Sequence, residues 1–198
     1  MFEGNFYHIY NRGNNRENIF FEEKNYYYFL EKYDKYLSNH LETYAYCLLP
    51  NHFHLLVRVK EKTSKAFETF PEWVASPEVS HLSPLEKAFK DFFITYAKAI
   101  NSAYDRTGSL FQYKFKRKII DKQKYLTRLI VYIHLNPIRL GLCKHPSDWK
   151  FSSYNSILST YSTKVKKEVV LDWFGRKGDF IELHKTYRDF QKIRDLLW

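Results

Sequence analysis

The sequence is poor in cysteine and has no long apolar run. Cys47 and Cys143 are its two cysteines. Neither lies in the paired spacing of a metal-binding motif, so we expect no structural zinc site and a reducing, cytoplasmic compartment. No apolar run approaches the length that spans a bilayer, and the first residues lack a basic segment followed by an apolar one. We therefore expect neither export nor insertion into a membrane.

Acidic residues are also scarce. The chain of 198 residues has 22 Asp and Glu against 32 Lys and Arg, which gives a formal net charge of +10. A field of this sign attracts polyanions, so nucleic acid is the leading candidate partner. Repeats and low-complexity tracts are lacking, and 44% of the residues are hydrophobic. This length and composition predict one globular domain with a sizeable core.

Apolar periodicity divides the chain into strands and helices. Strands are predicted where extended, aromatic or β-branched runs end at turn residues, and helices where apolar residues recur every three or four positions. The predicted strands are residues 6–10, 43–49, 52–59 and 110–120, and the predicted helices are residues 22–37, a helix that starts at Ser83-Pro84 and ends before Gly108, and residues 125–133. Their order predicts an α+β fold, a ferredoxin-like split βαββαβ antiparallel sheet with two helices on one face and a further helix added.

Two stretches are predicted to lie outside this framework. Residues 61–84 contain three prolines and break every periodicity, which indicates a surface excursion of low order. Residues 149–198 form a Lys-rich, aromatic extension of the domain at residues 1–148, with a last helix at residues 180–197. We expect the extension to pack on the domain or to contact nucleic acid.

Two histidines share one face of the strand predicted at residues 52–59. Side chains alternate along a strand, so His52 and His54 point the same way, and imidazoles at this spacing can chelate a divalent cation. Phe53 and the apolar run after His54 would hold the strand in a sheet. A histidine pair on a strand is also often just a polar or packed pair, so the spacing alone leaves both readings open.

Tyr132 and Asn136 lie four residues apart and share a flank of the third predicted helix. If this flank faces the histidine strand, a cation would have two imidazoles and an amide oxygen as ligands, with a phenol placed to attack what it binds. Tyr132 is one of 17 tyrosines and could instead be a packing residue. Asn136 could cap the helix, which we expect to end there because the residue before Pro137 is pushed out of helical geometry. His134 does not share the face of Tyr132, so packing or DNA contact suits it as well as base catalysis.

Basic residues recur near two of the predicted strands. Lys114, Lys116 and Lys118 share one face of the last strand, and three cations in line form a track for phosphates. Arg12 and Arg16 lie in the turn-rich stretch after the first strand and are further candidates for DNA contact. The lysines could equally form a solvated face and the arginines flank a turn. The net charge favours contacts with nucleic acid without choosing among them.

Four motifs together resemble those of a known family. They are Tyr-His-Ile-Tyr-Asn-Arg-Gly at residues 7–13, Leu-Pro-Asn-His-Phe-His at 49–54, Tyr-Ile-His-Leu-Asn-Pro at 132–137 and Trp-Lys-Phe-Ser-Ser-Tyr at 149–154. In this order and spacing the chain resembles the single-tyrosine HUH transposases of the IS200/IS605-like group, and most closely the REP-associated tyrosine transposases. REP stands for repetitive extragenic palindrome. The match covers roughly the first three quarters of the chain.

The resemblance implies an enzyme that cuts one strand of DNA by transesterification. Tyr132 matches the family's nucleophile, His52 and His54 its metal-binding pair, and Asn136 its third, amide ligand. The implied product is a 5′-phosphotyrosine with a free 3′-hydroxyl, which keeps the energy of the broken ester and allows rejoining. The implied cofactor is a divalent metal, Mg²⁺ or Mn²⁺, and the implied partner is single-stranded DNA that carries an imperfect hairpin.

The family also suggests how such a protein works in the cell. Residues 11–16 and the extension are candidate readers of the hairpin. Relatives of the insertion-sequence type exchange helices in dimers, whereas the palindrome-associated type tends to act alone. The extra C-terminal stretch favours a monomer over a homodimer, and we expect the protein in the bacterial cytoplasm, at the nucleoid. Two other interpretations stay open. One is a non-catalytic module that captures single-stranded nucleic acid on an aromatic sheet, and the other is a metal nuclease that uses water in place of tyrosine.

Overall fold

One antiparallel sheet organises the computed structural model, which describes residues 1–61 and 82–186. Its strands lie in the order β2-β3-β1-β4. This is the predicted split βαββαβ arrangement, so the α+β fold class is confirmed. The elements are β1 (Phe6–Arg12), α1 (Glu23–Leu37), β2 (Leu41–Leu49), β3 (His52–Val59), α2 (Pro84–Ala103), β4 (Lys116–Ile120), α3 (Gln123–Arg139), α4 (Tyr154–Leu158), α5 (Lys167–Phe174) and α6 (Lys177–Thr186).

Helices cover both faces of the sheet. Odd-numbered side chains of β1 and β3, such as Ile9 and Leu55, pack with α1 and α2 in a core rich in aromatic rings, among them Phe29 and Phe92. Even-numbered side chains of β3, such as Leu56, pack with α3 in a second core. Because side chains alternate along β3, α3 lies on the face that carries the predicted histidine pair.

β4 is shorter than predicted, because only the second half of the expected run pairs as a strand. It starts at Lys116, and Lys114 stands before it with a φ of 60°. This left-handed conformation interrupts strand pairing. Upstream, the Gln112 N–H donates to the Arg12 carbonyl at 2.9 Å, and the Asn14 N–H just after β1 donates to the Leu110 carbonyl at 2.9 Å. The predicted face of three lysines is therefore two lysines in a strand, Lys116 and Lys118, with Lys114 apart.

α3 continues through Pro137 instead of ending before it. Pro137 has no N–H to donate to the Ile133 carbonyl, and the helix continues for two residues past it without that bond. The helix ends at a Schellman cap in which Gly141, with a φ of 72°, donates to the Ile138 carbonyl and Leu142 donates to the Pro137 carbonyl, both at 2.9 Å. The last turn therefore stays helical and places Arg139 on the side of the predicted nucleophile.

The described part of the extension, residues 149–186, packs on α3 and β2. Ile157 and Phe180 are at most 1% exposed and belong to the same core as α3. The Ser153 N–H donates to the carbonyl of Tyr46 in β2 at 3.0 Å. This part of the extension is thus a layer of the fold.

Two predicted features fall on residues outside the described part. The expected surface excursion coincides almost wholly with residues 62–81, and the last predicted helix continues into residues 187–198. α6 covers the start of that helix and begins earlier than predicted, at Lys177. Among the described residues, no helix is long and apolar enough to cross a membrane.

Candidate functional site

β3 and α3 bring the predicted histidine pair and the predicted tyrosine together. The ring centroids of His54 and Tyr132 are 5.6 Å apart, and those of His52 and His54 are 5.2 Å apart. All three side chains are at most 5% exposed. They meet because α3 packs on the sheet face where the even-numbered side chains of β3 stand. The flank of α3 therefore faces the histidine strand, as the sequence argument requires.

A pocket of about 350 Å³ opens beside these rings. None of its described lining residues is acidic, whereas three of them carry a cation. A small pocket with this charge favours an anion such as a phosphate group. The lining residues are Tyr10, Asn11, Arg12, His52, His54, Gln112, Lys116, Tyr132 and Arg139.

The turn between β2 and β3 fixes the tautomer of His52. The amide Nδ2 of Asn51 donates to the Arg16 carbonyl at 3.1 Å, so its Oδ1 is left to face His52. The Nδ1 of His52 lies 2.6 Å from this oxygen. Because an amide oxygen can only accept, Nδ1 carries the proton and Nε2 keeps a free lone pair.

Gly13 allows the loop after β1 to approach this turn. Its N–H donates to the Asn51 carbonyl at 2.8 Å. A Cβ on Gly13 would lie 2.0 Å from the Glu17 carbonyl oxygen, so no side chain fits there. Only glycine therefore fits at position 13, the end of the first sequence motif, and its N–H helps to hold Asn51 in place.

His8 of β1 holds the second imidazole. Its Nε2 lies 2.9 Å from the Nδ1 of His54, and its own Nδ1 has no hydrogen-bond partner in the described part. Burial, with Lys118 adding to it, lowers the pKa of His8 to about 3. Burial and then Arg12 lower the pKa of His52 to about 4, and burial holds the pKa of His54 well below its usual value. The imidazoles are therefore neutral near pH 7, the form in which histidine binds metals.

Asn136 lies one turn from Tyr132, but its side chain is engaged within α3. Its Nδ2 donates to the Tyr132 carbonyl at 2.8 Å, and its Oδ1 accepts from the guanidinium of Arg139 at 3.0 Å. Asn136 is fully buried and does not line the pocket, whereas Arg139 does. To bind a cation, the amide oxygen would exchange its bond to Arg139 for the metal. Its role as a third ligand stays a prediction.

The two imidazoles fit a divalent cation together with oxygen donors from elsewhere. Across residues 1–61 and 82–186, no group of three His, Cys, Asp or Glu side chains could hold a metal ion. His52 offers its free Nε2, and His54 does so when its Nδ1 donates to His8. Phosphate oxygens, water or the Asn136 amide could complete the set. Such a mixed set suits Mn²⁺ and, with enough oxygen atoms, Mg²⁺.

The predicted DNA contacts divide between the pocket and the surface around it. Arg12 and Lys116 line the pocket. Lys118 stands two residues further along the same strand face. Arg16 is exposed in the loop after β1, and Lys114 lies outside the pocket, before β4. The positions agree with contacts to a polyanion, and the DNA-binding roles stay predictions.

Arg139 is the main pocket residue that the sequence argument missed. Its guanidinium carbon lies 5.6 Å from the Tyr132 ring centroid. The signal was available, because a residue seven positions after Tyr132 returns to the same side of a helix. Arg139 was not predicted because the helix was expected to end before Pro137. Tyr10 was also missed, and burial followed by the nearby Tyr132 raises the pKa of Tyr10.

His134 belongs to a buried network that fastens the extension. Its Nδ1 lies 3.0 Å from the Nε2 of His184, and its Nε2 lies 2.7 Å from the hydroxyl of Ser153. The Nδ1 of His184 donates to the Phe180 carbonyl at 2.7 Å. His134 must then donate to His184, and Ser153 must donate to His134. Of the roles considered for His134, packing agrees with this geometry.

We expect acid to weaken this network. Burial lowers the pKa of His184 from 6.5 to about 4. Between these values the unfolded chain binds a proton that the folded chain does not, so stability falls as the pH falls. His184→Gln removes this titration and should reduce the loss of unfolding free energy between about pH 7 and about pH 4 by up to about 3 kcal/mol. Urea unfolding at the two pH values measures it.

The matched control for this prediction is His145→Gln. His145 is exposed, so its replacement should keep the pH dependence of the wild type. An unchanged pH dependence in His184→Gln would contradict the prediction.

Curated proteins and solved structures are similar to this chain, whereas no family model matches it. A protein of Haemophilus influenzae assigned as a REP-associated tyrosine transposase is 28% identical over 144 residues, which cover 70% of this chain and 72% of the relative. The REP-associated tyrosine transposase of Escherichia coli is 26% identical over 130 residues, which cover 64% of this chain and 73% of the relative. The structure of a REP-associated tyrosine transposase bound to a REP hairpin supports the fold, with a TM-score of 0.59, 18% identity and coverage of 81% of this chain and 84% of that one. The chain is therefore a relative of the REP-associated tyrosine transposases.

Proposed function

We propose that this protein is a metal-dependent endonuclease and strand transferase that cuts and rejoins hairpin-containing single-stranded DNA through Tyr132. The observation that carries the proposal is the Tyr132 ring 5.6 Å from His54, beside a pocket lined by Arg12, Lys116 and Arg139. The curated relatives are named as transposases, and a protein of the same fold was solved with a REP hairpin. These findings support a transposase-like function with hairpin DNA as the partner.

The proposed reaction exchanges one phosphate ester for another. The Tyr132 oxygen forms a bond to the scissile phosphorus as the bond from phosphorus to the 3′-oxygen breaks. The phenolic proton is lost, the 3′-oxygen takes up a proton, and the 5′-phosphate stays bound to Tyr132. Arg12, Lys116 and Arg139 would hold the phosphate oxygens through charge-assisted hydrogen bonds. A cation held by the histidine pair would withdraw charge from the phosphate and steady the leaving oxygen.

The test is formation of a covalent adduct with a hairpin-bearing oligonucleotide. With Mg²⁺ or Mn²⁺ we expect a protein–DNA band that resists SDS and carries a label placed on the 3′ side of the cut. The other fragment should end in a 3′-hydroxyl that a polymerase can extend. An adduct that forms equally well in EDTA would remove the metal from the proposal. Cleavage without any adduct would favour the water-dependent nuclease.

A non-catalytic binding module is the second candidate, and the packing of the sheet does not favour it. Capture of unpaired bases on a sheet requires an open face with aromatic rings. Here Phe53 and Leu55 are buried on one face, and His54 and Leu56 on the other. Hairpin binding without an adduct under any metal condition would nevertheless support this module.

One chain supplies both halves of the pocket. Tyr132 and His54 meet within the same molecule, so no helix has to be exchanged with a second copy. This supports a protein that acts as a monomer.

Asn51→Ala is expected to weaken Mn²⁺ binding by about 10- to 100-fold. The substitution removes the oxygen that selects the tautomer of His52, so a proton can then occupy the nitrogen needed by the metal. Titration calorimetry without DNA measures the affinity, and ¹⁵N shifts of the His52 ring report the tautomer.

Asn51→Asp is the matched control for this substitution. It keeps an acceptor oxygen beside His52 and should bind Mn²⁺ within a few-fold of the wild type. Equal Mn²⁺ affinity for Asn51→Ala and the wild type would refute the positioning role.

A further inference from the structure

A second cavity, larger than the pocket at Tyr132 and the histidine pair, lies next to that pocket. Its volume is about 980 Å³, and it lies between α2 and residues 108–117, which lead into β4. The Phe89 and Phe115 rings along it are stacked at 4.7 Å, and the Phe93 ring lies 5.5 Å from that of Phe115. We call this cavity the aromatic groove and define it by Lys90, Phe93, Tyr113, Lys114, Phe115 and Arg117.

The groove offers an exposed ring that the core does not use. Tyr113 is 88% exposed, and the Lys114 ammonium lies 5.3 Å from its ring centroid. Phe93 and Phe115 are half-buried and also line the groove. Rings left accessible in this way can stack on nucleic-acid bases, because every base has a π-face.

Cations outnumber acids along the groove. Lys90, Lys114 and Arg117 line it, and Glu86 is the one acidic residue among its described lining. The Glu86 carboxylate is engaged at the start of α2, where it accepts from the Ser83 N–H at 3.0 Å. The groove therefore combines stacking rings with a net positive charge, the combination that binds single-stranded nucleic acid.

The aromatic groove adjoins the pocket at Tyr132 and the histidine pair across one edge of the sheet, where Asn11 and Gln112 line both cavities. Gln112 is fixed at this junction, where its N–H donates to the Arg12 carbonyl at 2.9 Å and its carbonyl accepts from the Asn11 amide at 3.4 Å. A DNA strand whose phosphate occupies the pocket would reach the groove by passing over this edge at Gln112, which is exposed.

We infer that the aromatic groove binds the unpaired nucleotides that continue from the scissile phosphate. The bases stack on Tyr113 and the half-buried rings, and the phosphates lie against Lys90, Lys114 and Arg117. A volume near the upper end of the range for ligand sites, about 300–1,000 Å³, leaves room for more than one base. The identity of the DNA rests on the proposed function, but binding in the groove does not require cleavage.

The test compares one hairpin with and without an unpaired flank. Tyr113→Ala should lower the affinity for the flanked hairpin about tenfold and leave the affinity for the bare hairpin unchanged. Fluorescence anisotropy in EDTA measures binding without cutting. Tyr161→Ala is the matched control, since Tyr161 is 82% exposed and lies outside the groove. Both side chains are so exposed that their removal should leave the fold intact.

A second variant tests the phosphate contact. Lys90→Gln should reduce the slope of log affinity against log salt concentration for the flanked hairpin by about one. Lys98→Gln, at an exposed position of the same helix outside the groove, should keep the slope of the wild type. Equal slopes for both variants would contradict a phosphate at Lys90.

Four further outcomes separate this inference from its rivals. Wild-type affinity of Tyr113→Ala for the flanked hairpin would overturn it, and so would an equal loss with and without the flank. Flank-independent binding, together with self-association that Tyr113→Ala abolishes, would assign the groove to contact between two copies. If flank binding depends on Tyr113 but the protein never forms an adduct, the role of the groove is supported and the proposed transesterification is refuted.

Discussion

Tyr132→Phe should abolish the covalent protein–DNA adduct and slow cleavage by at least about a thousandfold. The change removes the attacking oxygen and leaves the ring in place against His54 and Arg139. Hairpin binding and thermal stability should therefore stay close to those of the wild type. Denaturing gels of a labelled hairpin oligonucleotide measure the adduct and the cleaved strand together.

Tyr125→Phe is the matched control, because Tyr125 lies on the same helix, is partly buried and does not line the pocket. It should cut and form the adduct like the wild type. Cleavage by Tyr132→Phe without an adduct would identify water as the nucleophile. An adduct that persists in Tyr132→Phe would place the nucleophile on another tyrosine, and Tyr10 would be tested next because it lines the same pocket.

His52→Ala should remove measurable Mn²⁺ binding and lower metal-dependent cleavage by about 100- to 1,000-fold. The variant loses an imidazole whose Nε2 is held free by the bond from its Nδ1 to Asn51. Electron paramagnetic resonance of Mn²⁺ without DNA measures the first effect, and cleavage assays measure the second. His54→Ala should act in the same way, but it also leaves His8 without its 2.9 Å partner, so its stability has to be measured in parallel.

His145→Ala serves as the control for the histidine variants, since this side chain is exposed and outside the pocket. Cleavage that survives in His52→Ala and in EDTA would show that no metal is needed. The side chains of Arg12, Lys116 and Arg139 would then hold the phosphate without a metal ion.

The elements with strong periodicity and clear ends were predictable from sequence. The helix predicted at residues 22–37 is α1, which begins one residue later, and the strand predicted at 52–59 is β3. The Pro50-Asn51 turn fixes the start of β3, and alternation from that point puts both histidines on one face. The order of the elements then determined the topology.

Two local predictions were wrong because the backbone conformation of single residues sets the ends of these elements. β4 was expected from residue 110, but the left-handed backbone at Lys114 separates the contacts of residues 110–112 from the strand that starts at Lys116. α3 was expected to end before Pro137, yet the cap at Gly141 sets its end. Gly141 indicates such a cap in the sequence, but the prediction gave more weight to Pro137.

The site could be predicted only in part. Spacing grouped Tyr132 with Asn136 and paired the histidines, but choosing this tyrosine among 17 needed the resemblance to a family. The bond between His8 and His54 depends on the register of β1 against β3, which periodicity does not supply. Helical spacing would have placed Arg139 beside Tyr132 if the helix had been predicted to continue to residue 139.

The layer formed by residues 149–186 ties α3, which carries Tyr132, to the rest of the molecule. Without it, the side of α3 that carries His134, which now contacts Ser153 and His184 in the interior, would face water. The two parts therefore gain and lose their structure together. If the proposed function holds, a destabilising change in the extension would lower cleavage although it alters no residue of the pocket.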